Sequence, residues 1–209
     1  METYSFEDLS RTIMERPPRL GRVRLVAVDG RSGSGKTTFA GRLASALGER
    51  ASVLHTDDLY DGWGHPTSFD ERLWDWVLRP LSVGRPARYR RYDWHMGRFG
   101  TDWTELPPPE VLIMEGVSVA GSRWERLVSY RVFVDITPET GLARTLIRDG
   151  DSLRSRLEVW QRQETTHFAE DDTENSADLV VDGESSASSI DRFGTFIGRF
   201  RETEKPRFD

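Results

Sequence analysis

The residues Gly30-Arg31-Ser32-Gly33-Ser34-Gly35-Lys36-Thr37 carry the clearest chemistry in the chain. Their spacing, G-x-x-x-x-G-K-T, is that of a phosphate-binding P-loop. Glycines let several backbone N–H groups and a helix N-terminus converge on one anion, and the lysine adds a mobile positive charge beside the outer phosphates. The Thr37 hydroxyl is placed to bind Mg2+. Gly30, Ser32, Gly33, Ser34, Gly35, Lys36, Thr37 and Thr38 are therefore the expected contacts to a nucleoside triphosphate. A flexible Gly/Ser loop would share this composition but not the flanks. The apolar run from Val23 to Val28 reads as a buried strand and Thr38 to Ala44 as a helix start.

Acidic residues follow two other apolar runs. Thr56-Asp57-Asp58 comes after Ser52-Val53-Leu54-His55, and Glu115-Gly116 after Val111-Leu112-Ile113-Met114. Open α/β sheets place their ligands at such carboxyl ends. Phosphoryl transfer needs an acceptor oxygen in line with the terminal phosphate, a cation, and a carboxylate near the attacking hydroxyl. Asp57 is the expected base, on a strand expected to lie beside the P-loop strand; Asp58 in that role, or a plain helix cap, is the alternative. Arg144 and Arg148 stand four apart on one helix face, with Arg154 and Arg156 beyond. Such a cluster suits a lid, about 149–160, folding guanidinium groups over a triphosphate.

The elements that must hold these groups alternate. Arg131 to Asp135 and Asp178 to Asp182 read as further buried strands, Pro138 to about Asp149 and Ser152 to about Phe168 as helices, and about Ser188 to Phe200 as a closing helix. Phe6, Leu9, Ile13 and Met14 predict a short amphipathic helix ended by Pro17-Pro18. The pattern predicts an α/β fold, a doubly wound parallel sheet with helices on both faces, in one domain over 1–209. Residues 59–109 read as an aromatic-rich, substrate-side insertion, with a helical pattern from Phe69 to Leu81 and a hairpin around Arg88 to Trp103. The tail from Arg201 to Asp209 is expected to fray.

Composition narrows the partners. A net charge of -6 over 209 residues argues against a nucleic-acid surface, and the chain has no cysteine for disulfides or thiolate metal sites. No apolar segment approaches a membrane span and the first 20 residues lack a secretion signal, so the expected location is cytoplasmic. A small molecule is the expected partner, with neither nucleic acid nor membrane; a homo-oligomer is admitted.

A P-loop alone does not choose a reaction. No Asn-Lys-x-Asp guanine-reading segment occurs, and Met114-Glu115-Gly116 replaces the Asp-Glu pair of motor ATPases. The remaining motifs resemble the uridine kinase-like nucleoside kinases, relatives of phosphoribulokinase and pantothenate kinase. The likeness runs from about Val26 to Asp182. It rests on Asp29 to Thr38, Asp57-Asp58-Leu59-Tyr60, His65-Pro66 with Phe69-Asp70, Tyr92-Asp93-Trp94, Glu115-Gly116, Phe133-Val134-Asp135, Arg144, Arg148-Asp149 and Ala177 to Val180.

The resemblance implies ATP and Mg2+ as cofactors and Asp57 as the base, with Lys36 and Arg148 assisting. It implies a metal site of Thr37, Glu115 and Asp57, with Arg144 on the nucleotide. The implied acceptor is a primary hydroxyl of a pyrimidine nucleoside, uridine or cytidine, contacted by Tyr60, Tyr92, Asp93, His95 and Arg148. Trp74 and Trp76, in the helical pattern, are expected to pack in a core. Two departures stand out: Gly150-Asp151-Ser152 replaces an Arg-Gly after Arg-Asp, and His95 with Arg98 replaces a His-Ser-Arg string. Other readings are a kinase of another sugar, a pantothenate-like alcohol or an antibiotic, a nucleoside monophosphate kinase using Arg88, Arg90 and Arg91, and a nucleotide-binding regulator without transfer.

Overall fold

Residues 1–184 and 194–201 are described in a computed structural model. The strands are β1 (Glu2–Ser5), β2 (Arg24–Gly30), β3 (Ala51–His55), β4 (Ala87–Tyr89), β5 (Tyr92–Asp93), β6 (Arg98–Phe99), β7 (Thr104–Leu106), β8 (Val111–Glu115), β9 (Val128–Asp135), β10 (Leu179–Asp182) and β11 (Thr195–Phe200). The α-helices are α1 (Phe6–Glu15), α2 (Lys36–Leu47), α3 (Asp70–Arg72), α4 (Arg79–Ser82), α5 (Pro138–Asp149), α6 (Arg154–Glu170) and α7 (Thr173–Ser176).

Seven strands form one sheet in the order β1-β11-β10-β9-β2-β8-β3. The five strands from β10 to β3 run parallel, and β11 and β1 add antiparallel pairs at one edge. The sheet is thus mixed and mostly parallel. Its central strands are apolar at successive positions because both faces are covered. Leu25 and Ala27 of β2 join the core on one face with Leu112 and Met114 of β8, while Val26 and Val28 join Val111 and Ile113 on the other. Helices α1 and α2 close the second face through Leu9, Ile13, Phe39 and Leu43. The insertion and α6 close the first, through Phe69, Leu73, Val77, Trp160 and Phe168.

Local chemistry sets the boundaries. Ser5 caps α1 by accepting from the Asp8 N–H at 3.0 Å, and Arg16, placed before Pro17, turns extended and ends the helix. Thr137 caps α5, with Pro138 in its first turn.

Three expectations need correction. β3 does not lie beside the P-loop strand: β8 sits between β2 and β3, so Glu115 comes between the phosphate loop and the Asp57 turn. The closing helix is not present over Thr195–Phe200, which is strand β11 with Phe196, Gly198 and Phe200 buried alternately; 188–193, and the tail beyond Arg201, lie outside the described residues. The expected hairpin is two small ribbons, β4 with β7 and β5 with β6. The helical pattern from Phe69 is α3, a π-helical turn over Leu73–Leu78, and α4. Trp76 packs against the core as expected, whereas Trp74 is 39% exposed.

Candidate active site

The phosphate loop follows β2 directly and ends at the start of α2. Gly35 precedes α2 with a φ of 98°, a left-handed conformation that a side chain would strain. Lys36 is buried and its Nζ donates to the Arg31 carbonyl at 2.8 Å, curling along the loop. Thr37 Oγ1 donates to Glu115 Oε1 at 3.1 Å. Gly30 and Ser34 are buried beneath the loop.

Sheet register explains how Glu115 is held. Val28, Glu115 and His55 are paired across β2, β8 and β3, so Glu115 and His55 project from neighbouring positions of adjacent strands. His55 Nδ1 lies 2.5 Å from Glu115 Oε1. That hydrogen bond raises the His55 pKa above the ordinary value, with partial burial opposing it. At Gly116 a Cβ would run into Thr56 Oγ1, which is why the chain needs glycine where it leaves β8 at a φ of 153°.

Asp57 lies in the short 3-10 turn Thr56–Asp58 that follows β3. Its residue is exposed on the wall of a cleft, with charged groups close by. Partial loss of solvation within the cleft raises its pKa above the usual carboxylate value, and the charge of Glu115 adds to the rise. Lys36 and Arg148 oppose it, so two cations and two carboxylates act on one region.

A cleft of about 1090 Å3 joins these groups to an aromatic wall. Its lining includes Ser32, Gly33, Gly35, Lys36, Thr37, Thr38, Asp57, Glu115, Arg144 and Arg148, together with Tyr60, Trp63, Trp94, His95, Leu157 and Trp160. The expected phosphate and metal residues other than Gly30 and Ser34 share this lining. Arg144 is anchored by backbone, donating to the Gly183 carbonyl at 2.9 Å, Gly33 at 3.4 Å and Glu184 at 3.2 Å. Arg148 forms a two-pronged pair with Asp149 at 2.6 and 2.7 Å. Arg156 reaches the cleft, while Arg154 pairs with Asp151.

The acceptor-side expectations fare unevenly. Tyr60 is 1% exposed, and its hydroxyl donates to the Pro66 and Val117 carbonyls, so it backs the wall instead of offering a free face. Tyr92 and Asp93 are not in the lining. Asp93 Oδ1 accepts from the His95 and Met96 N–H groups, both at 2.9 Å, and fixes the turn between β5 and β6. Those N–H bonds lower its pKa. His95 does line the cleft.

Sequence reasoning gave no role to Asp29, Trp160 or Glu164. Asp29 is fully buried; it accepts from Gly30 and Ser118 N–H on Oδ1 and Ala120 N–H on Oδ2, tying the loop's start to the segment after Glu115. Burial pushes its pKa up to about 6. An acid at the last position before the first P-loop glycine was the available signal.

Fold and cleft together define a P-loop kinase architecture: a phosphate loop on a mostly parallel sheet, with carboxylates at neighbouring strand ends. No protein-family profile matches the chain. It is similar to the uridine kinase of Chlamydia pneumoniae, 28% identical across 76% of this chain and 81% of that protein. It is also similar to the uridine kinase of Brevibacillus brevis, 27% identical across 90% of this chain and 98% of that protein. Among solved structures, a possible uridine kinase from Bacillus stearothermophilus superposes with a TM-score of 0.60 at 21% identity, covering 84% of this chain and 96% of that one. The resemblance to uridine kinase-like P-loop kinases therefore extends over most of the chain, and its reaction class is ATP-dependent phosphoryl transfer.

Proposed function

We propose that the protein is an ATP- and Mg2+-dependent kinase that phosphorylates a primary hydroxyl of a pyrimidine nucleoside, uridine or cytidine. The observation that carries this reading is a cleft lined both by the phosphate loop and by aromatic rings, with Asp57 on its surface. The similar uridine kinases support the acceptor class. In this reading Asp57 takes the proton from the acceptor hydroxyl as its oxygen bonds to the terminal phosphorus, and ADP leaves. Lys36 and Arg148 stabilise charge on the transferring group. Thr37, Glu115 and Asp57 offer the hard oxygen donors that suit Mg2+. When bound, Mg2+ neutralises phosphate charge. The chain acts as one kinase domain in the cytoplasm, with 149–160 as its lid.

A second acceptor reading has its own support. Because Asp93 is engaged in the β5–β6 turn and Tyr92 stands outside the lining, the residues expected to read a nucleoside are not all at the cleft. Another sugar or alcohol fits the same reaction. An ADP-release screen over nucleosides, sugars and alcohols, with product masses and a Lys36→Ala control, decides between them. Uridine or cytidine monophosphate as the product supports the first reading; a different phosphorylated product supports the second.

A further inference from the structure

Helix α6 meets the phosphate loop through one buried carboxylate. Glu164 is 1% exposed. Its Oε1 accepts from the Ser32 backbone N–H at 3.0 Å, the Ser32 hydroxyl at 2.5 Å and the Trp160 indole N–H at 2.7 Å. Trp160 Nε1 also lies 3.1 Å from Ser32 Oγ, so loop and helix share one hydrogen-bonded knot. Trp160 and Glu164 are four apart in α6 and therefore stand on the same helix face.

From that anchor the Trp160 ring enters the aromatic wall. It meets Trp63 edge-on at 6.1 Å, and Trp63 meets Trp94 at 5.4 Å. Trp94 Nε1 then donates to the Asp57 carbonyl at 3.1 Å. A continuous strap of rings thus joins Ser32 to the backbone of Asp57 around the acceptor side of the cleft.

We propose that Glu164 is a positioning residue: it fixes Ser32 so that the following N–H groups stay converged for phosphate, and through Trp160 it ties nucleotide binding to the aromatic wall. The inference rests on the nucleotide-binding reading of the loop and is independent of which acceptor is used. Removing the carboxylate takes away the acceptor shared by the Ser32 N–H and hydroxyl and leaves the Trp160 N–H only Ser32 Oγ, which frees the loop to leave the arrangement that holds an anion.

MgADP binding to the whole chain tests this, by calorimetry and by tryptophan fluorescence. Glu164→Leu is expected to weaken MgADP at least tenfold, and Glu164→Gln, which keeps one acceptor oxygen, about threefold. Glu164→Gln keeps every tryptophan, so it is also expected to reduce the fluorescence change that saturating MgADP produces in the wild type. A merely structural role would lower the melting temperature without moving affinity, and that result overturns the proposal. If Glu164→Leu does not fold, Glu164→Gln decides: unchanged affinity, or a full fluorescence response, also overturns it. A wild type that binds no MgADP removes the phosphate-loop reading itself, a failure distinct from that of the Glu164 role.

Discussion

The phosphate end of the cleft is built from backbone, whereas the acceptor end is built from side chains gathered from separate segments. At the first, one loop between β2 and α2 sets the geometry, and Glu115 is fixed by its register with Val28 and His55. At the second, Tyr60 and Trp63 come from the turn after β3, Trp94 and His95 from the β5–β6 ribbon, and Trp160 from α6. The phosphate loop is held by short-range geometry; the aromatic wall, the proposed acceptor side, is held by packing between distant parts of the chain. Apart from the Glu164–Trp160 knot that joins them, substitutions in the two regions should therefore separate.

The largest expected effect is at the phosphate end. Lys36→Ala should lower turnover by on the order of 10²–10³, the typical loss on removing one donor to developing charge. Steady-state kinetics with the acceptor found in the screen checks it, and an acceptor KM effect alone would break the division between the two ends.

Asp29→Asn should destabilise the fold by about 1–3 kcal/mol, read by thermal or urea unfolding. Both Asp29 oxygens accept N–H bonds, and an amide would turn a donor toward one of those N–H groups. The pH dependence has a definite sign. The Asp29 pKa rises from an ordinary 3.8 to about 6 in the folded protein, so the fold binds the proton more tightly than the unfolded chain does. The stability difference between wild type and variant should be greatest below about pH 4 and decline as the pH rises to about 6.

Trp63→Ala should raise the acceptor KM about three- to tenfold, the scale of one aromatic contact, with the ATP KM within about twofold. Equal losses for both substrates would show that the wall shapes the phosphate end too, as the Glu164 knot suggests for Trp160 but not for Trp63. Arg148→Ala should lower kcat, since Arg148 is proposed to stabilise the transferring group, and should also shift the pH profile of the activity that remains. In its proposed role Asp57 is a base only when ionised, and its raised pKa places the acidic limb above the ordinary carboxylate range. Arg148 lowers that pKa, so its loss should move the limb to higher pH.

The same contrast governs what could be read from sequence. The P-loop, α5 and the buried runs of β2 and β8 are local patterns, and the structure has them where the residues predict. Strand order is not local: nothing within β3 tells that β8 will separate it from β2. The alternation Phe196-Gly198-Phe200 has the period of a strand, but a short segment after residues rich in Ser resembles a helix start as well. Asp93 stands beside the aromatic motif in sequence, yet its carboxylate is used by the turn it sits in. Glu164 and Trp160 lie over 120 residues from Ser32, so no spacing rule connects them to it.

The most direct test concerns Asp57, the carboxylate between the two ends. Asp57→Asn should keep MgADP affinity within a few fold of wild type while turnover falls by on the order of 10² or more, the usual contribution of a general base. Turnover equal to wild type, with the same nucleotide affinity, would contradict the account.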